Sequence, residues 1–296
     1  MQGPVVVGYD GSPESLAATD WAAREALRRS LPLELVQAWP WSKNHELGGD
    51  NAVQWAKRQL SREQVELRGR LTGLEVSGVH IPDEPAAVLE AAANRATLLV
   101  LGSRGLSSIQ GFLVGSVSQE VLGRATCPVV LVRAGAVPED EHQPDAEGQP
   151  STGTPFRDVA LGLDLRHPYD AVLAFGFEAA LLRSAPLRVV HVWGPPTGGS
   201  MAYGVIAGMG DLPGTAETQA VTEVLQPWQD KYPQVEVIPQ TIMGSAAYTL
   251  VEATSQAGLL VVGRRKRHGP VGPRLGPVAH AALHHASCSV AVVPSG

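Results

Sequence analysis

The chain has 296 residues, of which 44% are hydrophobic and 18% charged, a composition typical of a folded protein long enough for two domains. Its net charge of −6 argues against a general nucleic-acid partner or an anionic-membrane partner, because both usually require a basic surface. With two cysteines, Cys127 and Cys288, no visible signal peptide and no apolar run of membrane length, we expect a cytoplasmic protein without a metal site.

Short β-branched runs alternate with longer helical patterns along the first half of the chain, which predicts parallel strands joined by crossover helices. Five strands are expected, at residues 4–9, 33–39, 74–81, 97–101 and 128–133. Four helices are expected, near residues 14–29, 51–71, 85–94 and 116–124. Together they predict a doubly wound domain, in which ligands bind at the carboxyl ends of the strands where the strand order reverses.

The second half of the chain repeats the first. Residues 5–10 (VVVGYD) correspond to residues 159–164 (VALGLD), and residues 127–132 (CPVVLV) correspond to residues 288–293 (CSVAVV). The spacing between equivalent residues grows within the glycine- and proline-rich stretch 194–214, which predicts an insertion there. Correspondence at nearly fixed spacing indicates duplication. We therefore predict two tandem Rossmann-like α/β domains, each a five-stranded parallel sheet with about four helices, at residues 1–134 and 156–296.

Residues 135–155, between the copies, are rich in proline, glycine and acidic side chains. Such a stretch has little apolar surface to bury, so we expect a flexible linker. The last strand of each copy, at residues 128–133 and 289–294, is short, apolar and terminal, and an apolar sheet edge favours pairing with another strand. We therefore predict an intramolecular pseudo-dimer joined through these strands, and leave open whether the whole chain forms a homodimer.

Two glycine- and serine-containing segments follow the fourth strand of the first copy, separated by nine residues. They are Gly102, Ser103, Arg104, Gly105 and then Gly115, Ser116, Val117, Ser118. Glycines let the backbone approach a ligand closely, and the second segment begins a helix whose N-terminus attracts anions. Asp10 ends the first strand, so the sheet order predicted for this domain places it beside these segments.

The spacing Gly-x2-Gly-x9-Gly-Ser resembles the nucleotide-binding pattern of the ATP-binding universal stress proteins, and Gly102, Gly105, Gly115 and Ser116 match it in full. The resemblance covers both copies. It implies that Asp10, with Gly8 beside it, recognises the adenosine end of a nucleotide and that Ala38 packs against adenine. We expect ATP as the ligand, and leave open whether Mg²⁺ accompanies it and whether AMP or a cyclic or other adenine nucleotide binds instead.

The second copy keeps only part of this pattern. Lys266 stands where the first copy has its second glycine, and Pro277 replaces the serine, which removes one N–H and one hydroxyl from the expected phosphate site. We expect a weaker second site formed by Asp164, Val192, Gly263, Arg264, Lys266, Gly276 and Val278. The basic run at residues 264–268 either compensates by binding phosphate or is a solvated loop, and both interpretations stay open.

These patterns predict an adenine-nucleotide-binding protein of stress response or signalling that passes its nucleotide state to a protein partner of unknown identity. Two alternatives are a slow ATPase or phosphotransferase, and a nucleotide-free interaction scaffold. Because Asp10 is assigned to the adenosine end, no residue near the motif is left as an evident general base. We therefore expect no dedicated catalytic residue and at most weak ATP hydrolysis.

Overall fold

The computed structural model describes residues 3–39, 49–105, 112–167, 169–194, 212–264 and 275–294. In the first domain the parallel strands lie in the order β3-β2-β1-β4-β6, and a short strand β5 pairs antiparallel with β4. The strands are β1 (Val5–Gly8), β2 (Leu33–Ala38), β3 (Val76–Ile81), β4 (Leu98–Gly105), β5 (Phe112–Leu113) and β6 (Val129–Arg133). The helices are α1 (Pro13–Arg29), α2 (Gly49–Arg70), α3 (Pro85–Ala93) and α4 (Ser116–Arg124).

The second domain repeats this order, with its five strands arranged β11-β10-β7-β8-β9. The strands are β7 (Asp158–Leu163), β8 (Leu187–Trp193), β9 (Val237–Met243), β10 (Ala257–Arg264) and β11 (Ser289–Pro294). The described helices are α5 (Asp170–Arg183), α6 (Leu212–Lys231), α7 (Ala246–Ala253) and α8 (Pro277–His285). The predicted fold class, two tandem Rossmann-like domains, is confirmed. None of the helices in these ranges is long and apolar enough to cross a bilayer.

Local sequence explains how the elements begin and end. Val5, Val6 and Val7 are fully buried, as expected for a parallel strand covered by helices on both faces. Ser12 caps α1 by accepting a hydrogen bond from the Ser15 N–H at 3.2 Å, and a proline occupies the first turn. Ser30 ends this helix in the left-handed conformation. Helix α1 therefore begins at Pro13, five residues after the end of β1 and three residues after Asp10.

The two sheets join through their last strands, which is the pairing that the sequence predicts. Strand β6 runs antiparallel to β11, with Leu131 opposite Val290 and Val130 opposite Ala291. The result is one sheet of eleven strands, ten of them in a continuous order across both domains and β5 paired beside β4. Its two faces carry two apolar clusters, one under α1, α2, α5 and α6 and the other under α3, α4, α7 and α8, and each cluster contains residues of both domains.

Strand β4 is longer than predicted and changes the nature of the first glycine segment. The sequence indicates a strand ending at residue 101 and a loop after it. In the structure β4 continues to Gly105, because Gly102 and Ser103 pair with Val132 and Arg133 of β6. The segment 102–105 is therefore the end of a strand, not a loop.

The segment between the domains also departs from the expectation of a flexible linker at residues 135–155. Pro138–Glu141 forms a turn of 3-10 helix, and His142 pairs with Phe156 in an antiparallel bridge. The Glu141 side chain is 5% exposed and its Oε1 atom accepts from Arg24 Nη2 at 2.7 Å. This part of the segment is docked on α1, because its acidic residue meets a group of arginines there.

Candidate functional site

The carboxyl ends of β1, β2 and β4 meet where the strand order of the first domain reverses. Val7 lies opposite Val100. Asp10, two residues beyond the end of β1, and Ser103 in β4 each follow three residues later in the chain. Gly8 lies opposite Val36, which brings Ala38 to the level of Asp10 on the other side. Ala38 and Val117, the latter in the first turn of α4, are both half-buried against the same apolar cluster. The predicted adenosine-side and phosphate-side residues thus share one edge and one face of the sheet.

Asp10 presents an exposed carboxylate at this edge. Its Oδ1 atom accepts hydrogen bonds from the Ser12 N–H at 2.9 Å and the Ser12 hydroxyl at 2.5 Å. Burial raises the pKa of Asp10, but these hydrogen bonds and one with Ser15 outweigh it and lower the pKa below its usual range. Asp10 is therefore ionised at neutral pH and can accept further hydrogen bonds from hydroxyl groups of a ligand.

The structure gives a different explanation for each glycine at this edge of the sheet. A Cβ atom at Gly102 would lie 2.4 Å from the backbone oxygen of Glu14, so this glycine lets the start of α1 pack against β4. A Cβ atom at Gly8 would lie 2.8 Å from the Leu101 side chain. A Cβ atom at Gly115, in contrast, would meet nothing within 4 Å among the described residues. Its φ of −66° also allows any residue.

Helix α4 begins at Ser116, directly after its N-cap residue Gly115. Within the described part of the chain no side chain caps this helix, so its first N–H groups point out of the helix without that partner. Ser116 is exposed, whereas Ser118 is 8% exposed and buried. Arg104 and Gly105 pair with Leu113 and Phe112 at the end of β4, and the Arg104 side chain lies outside the described residues.

Ser103, one of the predicted nucleotide-binding residues, has its hydroxyl turned into the sheet. The residue is 2% exposed, and its hydroxyl donates to the Val132 carbonyl oxygen at 3.2 Å. The hydroxyl therefore holds β4 to β6 instead of facing a ligand. Sequence spacing could not distinguish a hydroxyl that pairs within the sheet from one that faces a ligand, because the strand was expected to end at residue 101, two residues before Ser103.

In the second domain the predicted residues surround one cavity of about 110 Å³. Six of the seven predicted residues line it: Asp164, Val192, Gly263, Arg264, Gly276 and Val278. The seventh, Lys266, lies outside the described residues. Further lining residues that the sequence reasoning missed include Arg166, His167 and Tyr169. The sequence feature that could have indicated them is their position shortly after Asp164, where the first copy has Ser12 and Pro13.

The aspartate of the second domain has an arginine and a histidine as partners. Asp164 Oδ1 accepts from Arg166 Nε at 3.1 Å, and Asp164 Oδ2 lies 3.0 Å from His167 Nδ1. In the first domain the equivalent Asp10 accepts from the neutral Ser12. A ligand hydroxyl at Asp164 would therefore share the carboxylate oxygens with Arg166 and His167.

Arg264 lines this cavity, but its guanidinium is hydrogen-bonded to the first domain. The residue is 7% exposed, and its guanidinium donates to the carbonyl oxygens of Leu122 at 2.6 Å and Ala125 at 2.7 Å. Both acceptors belong to the first domain. The guanidinium of Arg264 thus binds carbonyl groups of the other domain, and residues 265–268 of the basic run lie outside the described ranges.

Comparisons with known proteins agree on one family. The profile described as "Universal stress protein family" matches residues 1–133 and 155–294. A universal stress protein of Mycobacterium tuberculosis strain H37Rv is 30% identical over 305 residues, which cover 97% of this chain and 96% of that protein. Another from Mycolicibacterium smegmatis is 30% identical over 309 residues, covering 98% and 96%. A crystal structure of a universal stress protein from Archaeoglobus fulgidus shares the fold over the full length of both chains, with a TM-score of 0.72 and 16% identity.

Proposed function

Because the chain belongs to the universal stress protein family, we propose that it binds an adenine nucleotide, with the principal ATP site in the first domain. The phosphates lie at the start of α4, at Gly115 and Ser116, and the adenosine lies between Asp10 and Ala38. The nucleotide state is then passed to a protein partner. Binding, and not turnover, is the activity that we propose.

Gly115 is the observation that carries this proposal. Neither packing nor backbone conformation among the described residues requires a glycine at this position. A side chain there would stand in front of the uncapped N–H groups of α4, where a phosphate would bind. An external ligand explains the glycine, whereas Gly102 is explained by the Glu14 backbone.

The two aspartates support a stronger site in the first domain. Asp10 is exposed and ionised, and its described partners are neutral serines. Asp164 is paired with Arg166 and His167, so it offers less to ribose hydroxyls. Pro277 also removes an N–H from the start of α8. Each lost charge-assisted hydrogen bond is worth about 1.5–3 kcal/mol, so we propose a second site about 10- to 100-fold weaker per bond.

Substitution of Gly115 by aspartate tests the phosphate site without removing a packing residue. Aspartate is a good helix N-cap, so the Gly115→Asp variant should unfold at the same temperature as the wild type or higher. Its carboxylate occupies the N–H groups and repels phosphate, so calorimetric titration should show at least a tenfold loss of ATP affinity. Titrations with and without Mg²⁺, and with AMP, identify the preferred ligand form.

Gly115→Asn is the matched control, because asparagine caps the helix equally well without adding charge. It should lose less affinity than the aspartate variant. If the wild type binds no adenine nucleotide, or Gly115→Asp binds ATP as tightly as the wild type, the proposed site is wrong.

A further inference from the structure

An arginine of the second domain holds the helix that begins at the proposed nucleotide site of the first. Helix α4 runs from Ser116 to Arg124, so its N-terminus faces the site and its C-terminus lies about 13 Å away at a rise of 1.5 Å per residue. At that far end Arg264 donates to the Leu122 and Ala125 carbonyl oxygens. The two domains are thus linked through the helix proposed to bind phosphate.

The contact is buried and suited to fixing the helix. Leu122 is 1% exposed, Ala125 2% and Arg264 7%, so water has little access to replace these hydrogen bonds. The last carbonyl groups of a helix lack partners within the helix, and a positive charge at this end is favourable for the helix dipole. Loss of the guanidinium would leave buried carbonyl oxygens without this donor, which favours movement of the helix end.

In a second interdomain contact an arginine of the first domain binds the C-terminal end of a helix of the second domain. Arg133 of the first domain donates to the carbonyl oxygen of Ala286, which ends helix α8, at 2.9 Å. The two arginines are not equivalent in the repeat, because Arg264 corresponds to Ser103 and Arg133 corresponds to Pro294. Each domain therefore supplies its own arginine to the last helix of the other.

We propose that Arg264 is a positioning residue for the nucleotide site of the first domain. It fixes α4 from its C-terminal end, so that the N–H groups at Ser116, Val117 and Ser118 are held in place for phosphate. This inference rests on the proposed function and makes nucleotide binding in the first domain depend on a side chain of the second. The full-length chain is then the binding unit.

The test compares ATP affinity of the full-length chain with that of Arg264→Met, which keeps the length of the side chain but removes its donors. We expect a loss of about fivefold or more, the lower end of measured couplings between sites. Hydrogen exchange of the α4 amides, without nucleotide, should be faster in the variant, including at residues 116–118. Arg264→Lys restores a charge and one donor, so its affinity should lie between the two.

Arg133→Met is the matched control, because it removes the mirrored contact on α8 and should leave ATP affinity of the first site unchanged. Equal loss in both variants would show a general weakening of the domain interface and overturn the inference. Unchanged affinity in Arg264→Met, or in Arg264→Lys if the methionine variant does not fold, would also overturn it. Absence of ATP binding in the wild type would instead remove the proposed function, and the inference with it.

Discussion

At the scale of single residues, the glycines of the motif differ in whether a packed neighbour requires them, and substitution by alanine measures this requirement. A Cβ atom at Gly102 would approach the Glu14 oxygen to 2.4 Å and its carbonyl carbon to 2.5 Å, so Gly102→Ala must displace the start of α1. We expect a destabilisation of about 1–3 kcal/mol, typical of overpacking. Thermal unfolding should show a clear decrease in Tm.

Gly69 in α2 is the control for this substitution, because a Cβ atom there meets nothing within 4 Å among the described residues. Gly69 is the last but one residue of α2, so Gly69→Ala should leave stability unchanged or raise it by about 0.5 kcal/mol, because alanine favours helix more than glycine does. If Gly102→Ala unfolds at the wild-type temperature, the close packing of α1 on β4 is incorrect.

Glu25 is the charged residue on which acid stability of the domain interface should depend. It is fully buried, with Arg183 Nη2 at 2.7 Å from Oε2 and Arg29 Nε at 2.7 Å from Oε1. Burial raises its pKa, but Arg183, Arg29 and Arg28 together lower it from 4.5 to about 2. Because the folded-state pKa is depressed, its stabilisation is complete above about pH 4.5 and is lost as the pH falls towards 2.

Glu25→Gln should therefore destabilise the protein at neutral pH by about 3 kcal/mol, since it removes the fully buried carboxylate that lies nearest to Arg183 and Arg29. Denaturant unfolding measured from pH 7 to pH 2 should show a smaller decrease in stability for the variant than for the wild type. Glu178→Gln is the control, because Glu178 pairs with Arg29 but its side chain is 43% exposed. Equal pH profiles for wild type and Glu25→Gln would contradict this account.

At the scale of elements, the pairing of β6 with β11 should hold the domains together. Val130 is fully buried and lies opposite Ala291. Val130→Asp places a charge in this buried pairing, so we expect a marked decrease in Tm and faster protease cleavage between residues 134 and 157. Ile242→Asp on the edge strand β9, where the side chain is 36% exposed, should have little effect. Unchanged cleavage in Val130→Asp would argue against the strand pairing as the main link.

Strands and helices were predictable from the sequence because parallel strands covered on both faces form continuous apolar runs, as in Val5–Gly8. Their pairing across the domains was predictable from the same apolar character of the two last strands. The docking of Glu141 was not, because composition indicates a solvated segment and its hydrogen-bond partner Arg24 lies 117 residues away in the chain. The extension of β4 beyond residue 101 was also not predictable, because it depends on pairing with β6.

The site shows the same division between local and distant information. The glycine spacing and the aspartate that follows the first strand of each copy were local signals. Six of the second-domain residues predicted from them line one cavity. The direction of the Arg264 side chain was not predictable, because it is set by the carbonyl groups of α4 in the other domain. Arg166 was missed although it follows Asp164 by two residues, because this closeness in sequence alone does not show that its guanidinium pairs with the carboxylate.

At the scale of the whole molecule, a duplicated chain has become asymmetric. The continuous sheet and its two shared apolar clusters preserve the repeat, and the differences are concentrated at the carboxyl ends of the strands. Asp10 and Gly115 of the first domain are equivalent to Asp164 and Gly276 of the second, but the neighbouring residues differ. We therefore expect the two domains to fill with nucleotide one after the other.

Native mass spectrometry of the intact chain during an ATP titration tests this expectation most directly. We predict that a species with one ATP forms first, that a species with two appears only at higher ATP concentration, and that Gly115→Asp removes the first species while Gly276→Asp removes the second. No ATP adduct at all, two ATP molecules binding at the same concentration, or loss of the first species from Gly276→Asp would contradict the account.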